Sequence, residues 1–190
     1  LYMIVGSIYV SAGAILLGVP IGIFSAVFMA KFCPKKLYPI LSQAVSLLAG
    51  IPSIIYGFFG MMIIVPFIAE HFQGNGNSVL AASIVLGIMI LPTIITISEN
   101  ALRALPSSYY EGAIALGATK EESVFKVMLP AAKSGIVTSV VLGIGRAIGE
   151  TIAVGMVAGN SNILPSSIFK SVRTLTVNIV SEMGYASDLH

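Results

Sequence analysis

The sequence predicts an all-α integral membrane protein, a polytopic helical bundle, and three observations carry that reading. Of its 190 residues, 56% are hydrophobic and 9% charged, against roughly 45–50% and 25% in a soluble domain; mean hydropathy is +0.97. Four apolar stretches reach the roughly 20 residues that a helix rising 1.5 Å per residue needs to cross the hydrocarbon. None alternates in the manner of a barrel strand, and in lipid only helices and closed barrels satisfy every backbone group.

The four predicted spans are residues 1–30, 37–69, 79–97 and 131–158. The chain opens at Leu1 with no methionine or basic run before the apolar residues. Residues 1–30 therefore read as a genuine span rather than a signal peptide, and the chain as a fragment lacking flanking spans. The whole of 1–190 reads as one transmembrane domain. Orientation follows from Lys and Arg in the connections. Lys31, Lys35 and Lys36 follow the first span, and Arg103, Lys120, Lys126 and Lys133 follow the third, whereas EHFQGNGNS carries none. The first and third connections are predicted to be cytoplasmic, which starts the N-terminus outside. A net charge of +2 is too small to suggest a nucleic-acid partner. The single cysteine, Cys33, has no partner for an internal disulfide and reads as an unpaired thiol near the inner surface.

Prolines fall within three spans: Pro20, Pro52 in AGIPSIIYG, and Pro92. Each removes a backbone donor and crowds the preceding turn, so each is a kink and a hinge candidate. Beyond the fourth span, residues 163–185 are too polar to cross. Ile168, Val172, Leu175, Ile179 and Met183 recur at helical steps there, predicting an outer re-entrant or interfacial helix that starts at Pro165.

The connection over residues 98–130 exceeds thirty residues, well above the two to eight usual between helices. Pro106, Ser107 and Ser108 with Glu111 suggest a capped helix start. Tyr110, Ala113, Ile114 and Gly117 then line one side, with Gly117 placed to end the helix. TKEESVFKVML predicts a second short helix, with Thr119 as N-cap, Glu122 completing a capping box, and Lys126 near the C-terminal end. Pro130 marks its boundary with the fourth span.

This loop resembles the EAA motif of ABC importer permeases. Glu111-Gly112-Ala113, three residues, Gly117, nine residues, then Val127-Met128-Leu129-Pro130 keep the motif's spacing, with Gly112 for the central alanine and Val127 for isoleucine. The resemblance implies a MetI-like transmembrane domain whose coupling helices dock on a cytoplasmic ATPase. The implied contacts are Tyr110, Glu111, Gly112, Ala113, Leu116, Gly117, Leu129 and Pro130. The chain has no G-x-x-x-x-G-K-[ST] loop. It is therefore expected to be no enzyme itself and to hold no cofactor or metal, ATP and Mg belonging to the partner ATPase.

GIGRAIGETIAVG, residues 143–155, sets Arg146 and Glu150 inside the fourth span. Arg146 lies about 22 Å along a helix from Ala131, where a charge costs at least about 2.5–3.5 kcal/mol. Four residues apart, the two share one face of an unbroken helix within reach of each other, in the order that least helps an isolated helix. Gly145, Gly149, Gly155 and Gly159 permit close helix approach on that face. The bland reading is a structural salt bridge. The functional one is a substrate path in which the Arg146 fork meets an oxyanion, Glu150 holds Arg146 when the path is empty, and Thr151 adds a hydroxyl or bonds back to its own helix.

LGIGRAIGETIAVGMVAGN is similar to the R-A-x-G-E-T segment of phosphate-specific importer permeases of the PstC and PstA type; with TLTVNIVSEMGYASDLH it looks more like the PstC side. That resemblance implies an ATP-driven phosphate importer in a bacterial or archaeal cytoplasmic membrane. It also implies a second, PstA-like permease subunit, an ATP-binding subunit dimer and an extracytoplasmic phosphate-binding protein. The loop motif alone leaves molybdate, sulfate or an amino acid open as cargo. A secondary transporter or channel gated by Arg146 and Glu150 would instead work without an ATPase. His71 and His190 sit in outer loops away from any nucleophile, which disfavours an intramembrane hydrolase.

Overall fold

A computed structural model of the chain describes residues 2–72 and 76–183, and their regular structure is helical. The helices are α1 (Tyr2–Phe32), α2 (Tyr38–Gly50), α3 (Ser53–His71), α4 (Val79–Arg103), α5 (Ser107–Ala115), α6 (Lys120–Ala131), α7 (Lys133–Gly149), α8 (Ile152–Val157) and α9 (Leu175–Met183). Three are long and apolar enough to cross a membrane: α1, α3 and α4. The pair α6 and α7 passes the same test together, across a bend of 69° at Ala132.

Two predicted spans are interrupted. Residues 37–69 were expected as one helix, but the chain breaks after Gly50, and Pro52 has φ −59° and ψ 143° at the start of α3. Proline pushes its predecessor, Ile51, out of the α-region, and Gly50 adds no local resistance. The resulting α2 has thirteen residues and no buried one, too short to span. Pro20 and Pro92, by contrast, lie inside continuous helices. Residues 131–158 also divide, since α7 ends at Gly149 and α8 begins at Ile152.

The chain forms two compact units. The first comprises Leu1–Gly18, Gly50–Ile90 and Ile144–His190. Its core takes Val10 and Ala14 from α1, Val85, Leu86, Met89 and Ile90 from α4, and Val154 and Val157 from α8, all at most 1% exposed. Small residues set how closely these helices approach: a Cβ added to Gly57 on α3 would lie 2.9 Å from the Ala153 Cα on α8. Ser83 Oγ donates to the Val10 carbonyl at 3.2 Å, so a buried hydroxyl ties α4 to α1.

The start of α4 explains the segment that follows α8. Helix N-termini leave donors without intrahelical partners. Here Ser78 N–H donates to Val157 O (3.3 Å), Val79 N–H to Lys170 O (3.1 Å) and Leu80 N–H to Ile168 O (2.9 Å). Gly159 at φ 82° and Asn160 at φ 55° turn the chain back, and Val172 N–H donates to Ala158 O at 2.9 Å. Residues 159–174 are therefore not the helix expected from Pro165; helix resumes only at Leu175. Of the predicted apolar face only Val172 is buried, and Val177 packs inward on α9 while Ile168, Leu175, Ile179 and Met183 stay exposed. Backbone capping outweighed side-chain periodicity. Residues 184–190, including the end of that segment and His190, lie outside the described residues.

The second unit comprises Val19–Ala49 and Leu91–Gly143. Val27, Leu102, Val124, Met128 and Ala132 form its core, with Tyr110 and Leu129 packed against it. Ser98 and Ser139 share a buried hydrogen bond of 2.8 Å between α4 and α7. α4 runs on to Arg103, so the long connection begins later than the predicted residue 98.

Candidate functional site

Two groups of side chains matter, one in each unit. In the second unit, α5 and α6 project the loop that the sequence marks as a docking element. The expected cap of α5 by Ser108 and Glu111 does not form: Pro106 occupies the N-cap, with no side-chain hydrogen bond. Fixed at φ −55°, Pro106 sets the helix entry without one. The Thr119 box does form, with Glu122 N–H donating to Thr119 Oγ1 (3.2 Å) and Thr119 N–H to Glu122 Oε2 (3.1 Å). Lys126 reinforces it through a 2.8 Å ion pair with Glu122. Between the helices Gly117 has φ 88°, a value that strains any side chain with a Cβ.

Anchoring and exposure divide neatly along this loop. Ala113 is buried, and Tyr110 and Leu129 are partly buried against the core. Glu111, Gly112, Gly117 and Pro130 are exposed, and a Cβ on Gly112 or Gly117 would meet nothing within 4 Å. Leu116 is 91% exposed. A large apolar side chain held out by a capped, glycine-closed turn has the character of an interface anchor.

In the first unit, Arg146 sits half-buried in the last turn of α7. The predicted shared face requires a helix that continues to Glu150, and it does not. Glu150 lies beyond the end of α7, and its Oε1 accepts from the Ala153 N–H of α8 at 3.1 Å. Its backbone carbonyl accepts from Thr176 Oγ1 at 3.1 Å. Thr151 Oγ1 donates back to Gly149 O at 3.4 Å. The break sets two helix termini beside each other: the cation occupies the negative end of α7 and the carboxylate the positive end of α8, each the favourable place for its charge. Beside it lies a small cavity lined by Ser7, Ser11, Glu150, Thr174 and Thr176 among apolar groups. Pro20, Pro52 and Pro92 are not drawn into either group.

Sequence reasoning passed over one cluster. Glu99, 6% exposed, accepts from Arg103 Nε at 2.7 Å, while Arg103 Nη2 donates to Met29 O at 3.0 Å. The guanidinium lies 4.4 Å from the Tyr38 ring centroid. The signal was present: an acid four residues before a base is the favourable helical order. It was hidden by ending the span at residue 97.

The described residues thus combine apolar helices of spanning length, a helix broken between Arg146 and Glu150, and an exposed loop of two short helices, the second capped by Thr119. A family model described as "Binding-protein-dependent transport system inner membrane component" matches residues 18–185. The chain belongs to that family. It is 46% identical over 97% of its length to "Probable ABC transporter permease protein YqgH" of Bacillus subtilis, of which it covers 60%. It is 38% identical over 97% of its length to "Phosphate transport system permease protein PstC 1" of Mycobacterium tuberculosis, covering 61%. With "Probable phosphate transport system permease protein PstC" of Methanocaldococcus jannaschii the values are 37%, 95% and 62%. The chain thus spans about three fifths of the length of these curated relatives. In fold it is similar to a chain of the inward-facing MetNI methionine ABC transporter, with TM-score 0.73 and 24% identity over 93% of this chain and 76% of that one. The MetI-like fold expected from the loop is the fold found.

Proposed function

We propose that this chain is the core of a permease subunit that imports inorganic phosphate across the cytoplasmic membrane of a bacterium or archaeon. ATP and Mg bind a partner ATPase dimer. A second, PstA-like permease subunit completes the path, and an extracytoplasmic binding protein delivers the anion. The observation that carries the reading is Arg146, kept half-buried at the end of an apolar helix beside a helix break, in a chain similar along nearly its whole length to proteins named phosphate permeases. Discontinuous helices near the midplane are how transporters expose backbone dipoles and polar side chains to cargo.

In this mechanism phosphate enters from outside and exchanges hydration for the Arg146 guanidinium fork, a bidentate match for two phosphate oxygens. Glu150 and Thr151 border the path. Glu150 keeps the break open by capping α8 and repels an anion that lingers. ATP-driven closure of the partner is transmitted through Glu111, Gly112, Leu116 and Gly117, and the ATP-bound state must favour the outward-open form for the cycle to turn.

Phosphate uptake by the intact transporter tests this. Arg146→Gln at normal protein level is expected to lower uptake by about a hundredfold, corresponding to about 2.7 kcal/mol, with Arg146→Lys intermediate because it keeps charge but loses the fork. Full uptake in Arg146→Gln sinks the path. Uptake blocked by molybdate or sulfate as effectively as by excess phosphate would reassign the cargo.

A further inference from the structure

The unit that bears the docking loop also holds a cavity of about 500 Å³, lined by Lys31, Arg103, Lys120, Ser107 and Tyr110. That size is within the range of small-ligand sites. Its charge is unbalanced. Glu99 neutralises Arg103 at 2.7 Å, but among the described residues neither ammonium group has a carboxylate partner. Lys120 Nζ instead stands 5.0 Å from the Phe32 ring centroid, a weak cation–π contact. Ser107 and Tyr110 add neutral hydroxyl donors. Two ammonium groups, the edge of a guanidinium and two hydroxyls offer more donors than one carboxylate accepts, and suit the several oxygens of a phosphate group.

We propose that this cavity binds a phosphate group on the cytoplasmic side, supplied by an anionic phospholipid headgroup or by free inorganic phosphate. Lys31 and Lys120 supply the charge, and Arg103, already fixed by Glu99 and Met29, supplies an oriented edge. Lys31 lies in the last turn of α1, Lys120 in the first turn of α6, and Ser107 opens α5. An occupant therefore cross-links both helices of the docking loop to α1, so it controls how firmly the loop is held. The site does not depend on phosphate being the transported cargo.

The test uses the full-length permease with its partner subunits in nanodiscs. One arm measures phosphatidylglycerol retained per complex by native mass spectrometry. The other titrates inorganic phosphate in phosphatidylcholine discs on an Arg146→Gln background, which takes away the proposed transport site. Lys31→Gln/Lys120→Gln is expected to lower lipid retention or phosphate affinity by about tenfold, and Lys31→Arg/Lys120→Arg to retain it. Loss in either arm supports the site, and the arm names the source; no change in both overturns it. Should the glutamine variant fail to accumulate, amine labelling of the wild-type complex decides. Both lysines should label about tenfold more slowly with phosphatidylglycerol or phosphate present, and equal labelling throughout overturns the site.

Discussion

Two acid–base pairs with the same four-residue spacing lead to different structures. In the second unit, Glu99 precedes Arg103 on an unbroken helix, and the side chains meet at 2.7 Å. The arginine then reaches Met29 O and the Tyr38 ring. In the first unit, Arg146 precedes Glu150, the helix stops between them, and the carboxylate turns to the N–H of Ala153. Order agrees with the contrast but does not cause it. Glu before Arg runs with the helix dipole and Arg before Glu against it, a difference of only about 0.2–0.5 kcal/mol per pair. The break therefore rests on contacts beyond the helix, and it leaves each charge at its own favourable terminus. Spacing alone does not distinguish a pair that braces one helix from a pair divided between two.

The measurements that break or sharpen that contrast run in falling order of effect on stability. Arg103→Gln leaves Glu99 buried without its cation, and a loss of about 2 kcal/mol in stability is expected, below the value for a fully buried pair because the Arg103 side chain is 43% exposed. A double-mutant cycle between Glu99 and Arg103 should return most of it as coupling, whereas a cycle between Arg146 and Glu150 should return a coupling near zero. Strong coupling at the second pair would erase the distinction drawn here. Gly57→Val drives a side chain into the Ala153 backbone, and should cost about 2 kcal/mol, seen as a lower unfolding temperature. The parallel change Gly112→Ala, in open space inside α5, should not lower that temperature and should raise it slightly, since alanine favours the helix by about 0.5–1 kcal/mol over glycine.

Thr119→Ala removes one half of the capping box and should cost about 1 kcal/mol, read as faster amide exchange at Glu122. Leu116→Ala should shift stability by less than about 0.5 kcal/mol, because the side chain is already exposed. On the proposed docking role, ATPase co-purification should drop by about tenfold, the range of an interface anchor. Glu111→Lys should act the same way. Unchanged co-purification in both variants would detach the loop from energy coupling.

Much of this was legible in the residues. Spans α1 and α4 follow from uninterrupted apolarity, and the Thr119 box from three positions whose chemistry is local. The exposed loop of two short helices follows from the helix signals at Pro106 and Thr119. Other features were not. Gly50-Ile51-Pro52 ends a helix that Pro20 and Pro92 do not, although all three prolines look alike in an apolar run. Nothing local separates them, since Gly18-Val19-Pro20 repeats the Gly-x-Pro pattern inside a continuous helix. The course of residues 159–174 was misread because a helical period of apolar side chains competes there with the unmet donors of α4, which lie about ninety residues earlier in the chain.

The amino-acid order by itself determined the medium, the long helices and the chemistry of both charged pairs, since hydration and local backbone preference act within a few residues. Only the tertiary structure decided where the helices break, which glycines meet another backbone, and that Glu150 caps α8 instead of continuing the helix of Arg146. Those outcomes depend on donors and acceptors brought together from distant stretches, and in lipid each must find a partner inside the protein because no water is there to take its place.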